Sequence, residues 1–314
     1  MAGDHARARH RGRRWLLAAL TVPAVALGGT LGWPGDPAVS SAASVAVASG
    51  VPAAATGTGT AAAAAATTAA TPPAVDAAAV LAAVDAAAAG AGGTISVVVL
   101  DDAGAQLVAS SDAAEPEYTA SLIKLLVVQQ LLEQDADGSI GLDADDLALM
   151  ERAVEASDDD AMSTLWVRFD GAELVSAAAA EFGLTGTAPP EEAGQWGEST
   201  TTAADYASFL SALGDHLDAG DLATLTGWMQ STTASAADGF DQDFGLLGAD
   251  AEAGTVAAKQ GWMCCVDSRR QLHSAGVLSD GRVVVLLGNF PTSTSWAGAQ
   301  AALDASAAAV VSGS

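Results

Sequence analysis

Apolar and polar positions follow two different periods along the chain. Residues Thr94–Leu100 are rich in β-branched side chains and predict a strand, and 106–110, after a short turn, predict its hairpin partner. Three more strands are predicted near the end, over 255–263, 271–278 and 282–290. Between the two groups of strands, apolar residues recur at helical spacing and predict a block of helices.

This order of elements predicts an α/β fold of the α+β type. Strands joined by hairpins form antiparallel sheets. The predicted helices at 74–89 and 297–311 would cover one face of this sheet. We therefore expect a five-stranded antiparallel sheet flanked by N- and C-terminal helices, with an inserted all-helical subdomain.

The first part of the chain has a different composition. It begins with several arginines and a short apolar run, which is typical of an export signal. A stretch of Ala, Thr, Gly and Pro follows that holds hardly any bulky side chain. We expect an export signal or N-terminal anchor over 1–33, a disordered linker over 34–73 and a folded domain over 74–314. The protein would then be exported, extracellular or associated with the cell envelope, and in contact with a membrane only if the anchor is uncleaved.

Charge and cysteine content exclude several classes of function. The formal net charge is −26 at pH 7, so the surface repels nucleic acid and anionic lipid. The histidines and cysteines show no metal-ligand spacing, and we expect no metal, no cofactor and a monomer. Because Cys264 and Cys265 are adjacent, a disulfide between them would be strained, and two free thiols on opposite faces of a strand are expected instead.

The candidate chemistry begins with two lysines, the only ones in the chain, Lys124 and Lys259. The short stretch directly after Ser121 is almost entirely apolar, which predicts a buried helix. A lysine in a buried helix costs free energy unless the protein uses its amino group. Ser121 and Lys124, three residues apart, share a helix face. A desolvated lysine has a lowered pKa and can take a proton from a neighbouring hydroxyl. The alternative is chance, because serine is common.

Two further motifs follow in order along the chain. Residues 157–159 read S-D-D at a helix junction, and residues 259–261 read K-Q-G on the first strand after the helices. With S-x-x-K before them, they resemble the S-x-x-K, S-D-N and K-T-G motifs of class A β-lactamases and related serine penicillin-binding proteins. Both lysines of the chain occupy motif positions. The ordinary alternatives are a helix cap for Ser157 and Asp158 and a strand-end surface charge for Lys259.

The resemblance implies an acyl-transfer site. Ser121 would attack a carbonyl carbon, with Lys124 as its proton partner. Ser157 would pass a proton to the leaving nitrogen, close to Lys259. The backbone N–H groups of Ser121 and Trp262 would form an oxyanion hole.

Substrate-binding positions depart from the family pattern. Asp159 stands where the family has an asparagine, so it offers no N–H donor and can pair with Lys124. Gln260 replaces a threonine that helps to bind the substrate's carboxylate. Gly261 would let a substrate approach the strand closely. Arg269, or the residue after it, would also meet a carboxylate, although an exposed charge is equally expected.

The residue that would remove the acyl group is the least defined. The loop 183–199 is shorter than the family loop that carries the deacylating glutamate, and in it Glu191 or Glu192 would orient a water molecule. Exposed loop carboxylates are the alternative. The resemblance thus implies an exported serine hydrolase that forms an acyl-enzyme with β-lactams or cell-wall peptides. A penicillin-binding or DD-peptidase-like protein without efficient deacylation and a non-catalytic envelope-binding domain remain open.

Overall fold

The computed structural model describes residues 75–248 and 256–312. The predicted signal over 1–33 and linker over 34–73 lie outside these residues. All of the predicted strands and helices fall within the described part except for a few terminal positions.

One five-stranded antiparallel sheet organises the domain, as predicted. Its strands are β1 (Thr94–Leu100), β2 (Gln106–Ala109), β5 (Ala257–Val266), β6 (Arg269–Val277) and β7 (Val283–Pro291). They lie in the order β2-β1-β7-β6-β5, which leaves one side of β5 free as a sheet edge. A separate short pair is formed by β3 (Glu117–Tyr118) and β4 (Thr200–Thr201).

Alternate side chains of β1 point to opposite faces of the sheet and join two different hydrophobic cores. Val97 and Val99 point to one face, where they share a cluster with residues of the terminal helices α1 (Ala77–Gly90) and α8 (Trp296–Ser312). Val98 and Leu100 point to the opposite face and join the core of the helical block. Successive strand side chains point to opposite faces, so a strand buried on both reads as a continuous apolar run.

The helical block lies between the two groups of strands in the chain. Its helices are α2 (Ile123–Ala136), α3 (Ala144–Glu155), α4 (Asp159–Arg168), α5 (Gly171–Glu181), α6 (Ala203–His216) and α7 (Ala219–Gln230). Helix α2 is its centre, because every residue from Ile123 to Leu132 is buried. This confirms the buried helix that the sequence predicts after Ser121. Within the described chain, no helix has the length and apolarity needed to cross a bilayer.

The cysteine pair differs from the prediction. Cys264 and Cys265 are joined in a vicinal disulfide, so the expectation of two free thiols on opposite faces of a strand was wrong. The peptide bond between them is cis.

Candidate active site

Ser121 lies in a single 3₁₀ turn, Ala120–Leu122, directly before α2. The preceding residue, Ala120, has φ of 46°, in the left-handed region that is costly for a residue with a Cβ atom. Tyr206 donates from its hydroxyl to the carbonyl of Leu122 at 2.9 Å and fixes the end of the turn. The Ser121 hydroxyl makes no hydrogen bond within the described part of the chain, and its residue is 4% exposed.

Strand β5 packs directly against this turn through Gly261. A Cβ atom at this position would lie 3.2 Å from both Leu122 Cγ and the carbonyl oxygen of Thr119. The missing side chain therefore admits the Ser121 turn. The protein's own backbone occupies the space beside Gly261, and the approach of a substrate to this glycine stays a prediction.

Lys124 is completely buried, and its ammonium group is held by the residues at the start of α4. Lys124 Nζ donates to Ser157 O at 2.6 Å, to Asp159 Oδ1 at 2.7 Å and to Ser157 Oγ at 3.3 Å. The indole ring of Trp196 lies 4.9 Å from the same nitrogen. Burial lowers the pKa of Lys124, and the charge of Asp159 acts in the opposite direction. The pairing with Asp159 expected from the sequence is present.

Ser157 does not cap the helix that follows it. The cap of α4 is Asp158, whose carboxylate accepts from Ala161 N at 3.0 Å and is paired with Arg152. Ser157 itself has φ of 49°, a second strained backbone position close to the lysines. Because Asp158 satisfies the helix terminus, the Ser157 hydroxyl is free to interact with the lysine side chains.

Lys259 approaches Ser157 from the sheet. Its side chain is completely buried on β5, and Nζ donates to Ser157 Oγ at 2.8 Å and to Gln260 O at 2.9 Å. Burial and the nearby Lys124 lower the pKa of Lys259 well below its ordinary value. The strand-end surface charge is thus excluded. The Ser157 hydroxyl lies between the chain's only two lysines, in a position to exchange a proton with either.

Backbone groups of every second residue of β5 point to the free edge of the sheet, near this cluster. The carbonyl oxygen of Ala258 accepts from Thr232, and that of Gln260 accepts from Lys259 Nζ, both outside the sheet. Backbone groups alternate in direction along an antiparallel strand, so the N–H of Trp262 also points to the free edge. The oxyanion-hole role that the resemblance implies for this N–H group stays a prediction. The Trp262 side chain is engaged elsewhere, stacked on Phe240 with ring centroids 4.7 Å apart.

Gln260 does not line the site. It is completely buried, and its amide nitrogen donates to the carbonyls of Gln242 and Phe244 on the far side of β5. The Gln260 side chain points away from that of Lys259, and its role in binding substrate stays a prediction. Its side chain alternates with that of Lys259 and is committed to backbone groups.

Arg269 is also placed outside the lysine cluster. Its guanidinium donates to Asn289 through Nε and Nη2, and Asn289 donates to Glu117 Oε2 at 2.7 Å. These residues line a separate cleft of about 280 Å³ beside Tyr118. Arg269 makes no contact with the lysines or Ser157 in the described structure, so the expected role in binding substrate finds no support.

The loop after α5 reaches the site through residues other than the predicted glutamates. Glu191 and Glu192 are exposed and make no side-chain hydrogen bond with the cluster. The 3₁₀ turn Trp196–Glu198 lies beside Ser121 instead, since a Cβ atom on Gly197 would be 3.9 Å from Ala120 Cα. Sequence reasoning missed Trp196, for which the one available signal was a bulky aromatic residue in a loop of small and acidic residues.

This fold is that of the β-lactamases. A β-lactamase from Chitinophaga pinensis superimposes with a TM-score of 0.61 at 17% identity, covering 73% of this chain and 97% of that one. A second, from Sphaerobacter thermophilus, gives a TM-score of 0.59 at 16% identity, covering 76% and 97%. At such identities the likeness shows the fold alone.

Sequence comparison identifies a mycobacterial relative. The chain is 34% identical over 203 residues to the protein of Mycobacterium tuberculosis described as "Putative lipoprotein LppW", and the match spans 63% of this chain and 63% of that protein. The same values hold for its counterpart in Mycobacterium bovis. No protein-family model matches the chain.

Proposed function

We propose that this protein is an exported serine acyl-transfer protein, in which Ser121 forms an acyl-enzyme with β-lactams or cell-wall peptides. The observation that carries the proposal is the position of the Ser157 hydroxyl, within 2.8 Å of Lys259 Nζ and 3.3 Å of Lys124 Nζ. Burying two lysines costs several kcal/mol per ion, by order of magnitude, unless the arrangement serves a purpose. A proton relay beside a serine gives these lysines such a purpose.

Each group takes one step in the proposed chemistry. Lys124, in its neutral form, takes the proton of Ser121 as the serine oxygen attacks the carbonyl carbon. The N–H groups of Ser121 and Trp262 stabilise the oxyanion. When the C–N bond breaks, Ser157 donates its proton to the leaving nitrogen and recovers one from a lysine. The product is an ester of Ser121 and a free amine.

Slow release of the acyl group is the second part of the proposal. Hydrolysis of the ester needs a base that activates water, and Glu191 and Glu192 are exposed. Asp159, the carboxylate nearest to the lysines in the described chain, is already paired with Lys124. This favours a penicillin-binding or DD-peptidase-like protein over an efficient β-lactamase.

Location at the cell envelope is proposed on two grounds. The relative at 34% identity is described as a lipoprotein. The N-terminal composition of this chain independently predicts an export signal followed by a tether. A peptidoglycan peptide or a small molecule would be the partner there.

A non-catalytic envelope-binding domain is the second candidate. The ion pair between Lys124 and Asp159, at 2.7 Å, favours it because the carboxylate holds a proton on the lysine that must act as a base.

Intact-protein mass spectrometry after incubation with a penicillin tests the proposal. We expect a covalent adduct of one drug molecule that persists for many minutes, is absent in Ser121→Ala and is retained in Ser176→Ala, a change at an exposed serine on α5. Rapid loss of the drug without an adduct would instead identify an efficient β-lactamase. If neither adduct nor turnover occurs with penicillins and cell-wall peptides, catalysis on these substrates is refuted.

A further inference from the structure

We propose that Glu133, Glu181 and His216 form a binding site for one divalent transition-metal ion such as Zn²⁺. The three residues come from different helices: Glu133 from α2, Glu181 from the last residue of α5 and His216 from the last residue of α6. One ligand atom of each lies within 4.8 Å of the other two. This site is separate from the lysine cluster and does not depend on the proposed acyl-transfer function.

The distances are compatible with a metal centre. His216 Nδ1 lies 3.1 Å from Glu181 Oε1 and 3.7 Å from Glu133 Oε1. Around a tetrahedral zinc ion with bonds of about 2.0–2.2 Å, two ligand atoms are separated by roughly 3.4 Å. The observed pair of distances lies on either side of that value.

Two buried amides orient the carboxylates. Gln129 Nε2 donates to Glu133 Oε2, and Gln130 Nε2 donates to Glu181 Oε2 at 2.6 Å. Both glutamines are buried, at 0% and 3% exposure, and each engages the oxygen that faces away from the imidazole. The remaining oxygens, Oε1 of both glutamates, are thereby directed towards His216 Nδ1. Outer donors that fix ligating carboxylates in this way are a regular feature of metal sites.

The surroundings also favour a cation. The His216 ring is held against Phe182, with ring centroids 4.0 Å apart, which fixes the orientation of Nδ1. Two carboxylates face one imidazole, so the group carries excess negative charge. A divalent ion neutralises both carboxylates. Two oxygens and one imidazole nitrogen suit Zn²⁺ and its neighbours better than Mg²⁺ or Ca²⁺.

Titration of the metal-free, untagged full chain with Zn²⁺, and with Co²⁺ as a spectroscopic probe, tests the proposal. We expect one equivalent that raises the Tm of the wild-type protein and, for Co²⁺, gives a visible absorption band. His216→Gln and the nearly isosteric Glu181→Gln should weaken this binding by about 100-fold or more, because the loss of an outer partner alone costs about 10- to 100-fold. Gln130→Ala should show that smaller loss.

Glu173→Gln is the matched control, since it removes an exposed carboxylate from the same helix α5. Its affinity should equal that of the wild type. The histidines near the N-terminus, His5 and His10, are present in every variant, so the differences report the helical site alone. Equal affinity and equal Tm shifts in wild type, His216→Gln and Glu181→Gln would overturn the proposal, as would the absence of any bound equivalent in the wild type.

Discussion

Replacing Asp159 by asparagine should accelerate acylation of Ser121. Asp159 Oδ1 accepts from Lys124 Nζ at 2.7 Å, and its negative charge works against the burial that lowers the pKa of Lys124. Asparagine keeps an oxygen acceptor at the same place but removes the charge. More of Lys124 is then neutral at pH 7, and the neutral amine is the form that accepts the serine proton.

The size of the effect is set by the exposure of the carboxylate. At 2.7 Å, two unit charges attract by roughly 6 kcal/mol at an effective dielectric constant of 20 and by about 1.5 kcal/mol in water. The side chain of Asp159 is 63% exposed, so the lower figure applies. Because about 1.4 kcal/mol corresponds to a factor of ten, the acylation rate constant should rise roughly five- to tenfold at neutral pH.

Stopped-flow measurement with a fluorescent penicillin gives the rate constant, and its pH dependence identifies the lysine. The acidic limb of the profile should move to lower pH in Asp159→Asn, since less alkaline conditions then suffice to deprotonate Lys124. Asp160→Asn is the matched control. It removes an exposed carboxylate from the same first turn of α4, with the same loss of favourable helix-dipole interaction, but makes no contact with Lys124.

The reasoning fails if Asp159→Asn leaves both rate and pH profile unchanged, or if Asp160→Asn changes them equally. The first result would mean that Lys124 does not act as the base. The second would mean that the general acidity of the surface, rather than the ion pair, controls the rate.

Three further changes test other contacts of the site. Lys259→Arg should slow acylation by about 100-fold or more in the same stopped-flow assay, because guanidinium stays protonated and cannot relay a proton through Ser157. Gly261→Ala should lower the free energy of unfolding in urea by about 1–3 kcal/mol, since its Cβ atom would meet the Ser121 turn at 3.2 Å. Burial lowers the pKa of His273 to about 4, so between its unfolded pKa of 6.5 and pH 4 the unfolded state binds more protons. Stability should therefore fall as pH falls through that window, by about 3 kcal/mol more than in His273→Gln; equal slopes would contradict the assignment.

The fold could be predicted because the hydrophobic patterns of its strands and helices are local in the sequence. The apolar residues of Thr94–Leu100 and of the start of α2 avoid water only when buried, and both segments are buried. Adjacent hairpins near the end then force an antiparallel sheet. The disulfide between Cys264 and Cys265 was not predicted, because adjacent cysteines bond only where the local backbone brings both sulfur atoms together.

Parts of the candidate site could be predicted where the chain contains few residues of the required type. Both lysines of the chain occupy motif positions, and their meeting at Ser157 is what the family resemblance of the three motifs implies. The side-chain direction of Gln260 could not be derived, because it depends on the carbonyls of Gln242 and Phe244 across a tertiary contact. Nor could the approach of Trp196 to Lys124, which depends on how the loop after α5 folds back.

Burial lowers the pKa of both lysines around the Ser157 hydroxyl. Among the described carboxylates, only that of Asp159 lies within hydrogen-bond distance of either lysine, and it pairs with Lys124. Asp159 therefore opposes the lowering of the pKa of Lys124, whereas burial and the charge of Lys124 hold the pKa of Lys259 well below its ordinary value. On the proposed function, the ion pair disfavours the neutral form of Lys124 that accepts the serine proton. A single exposed carboxylate would then set the rate of acylation, which is the quantity that Asp159→Asn measures.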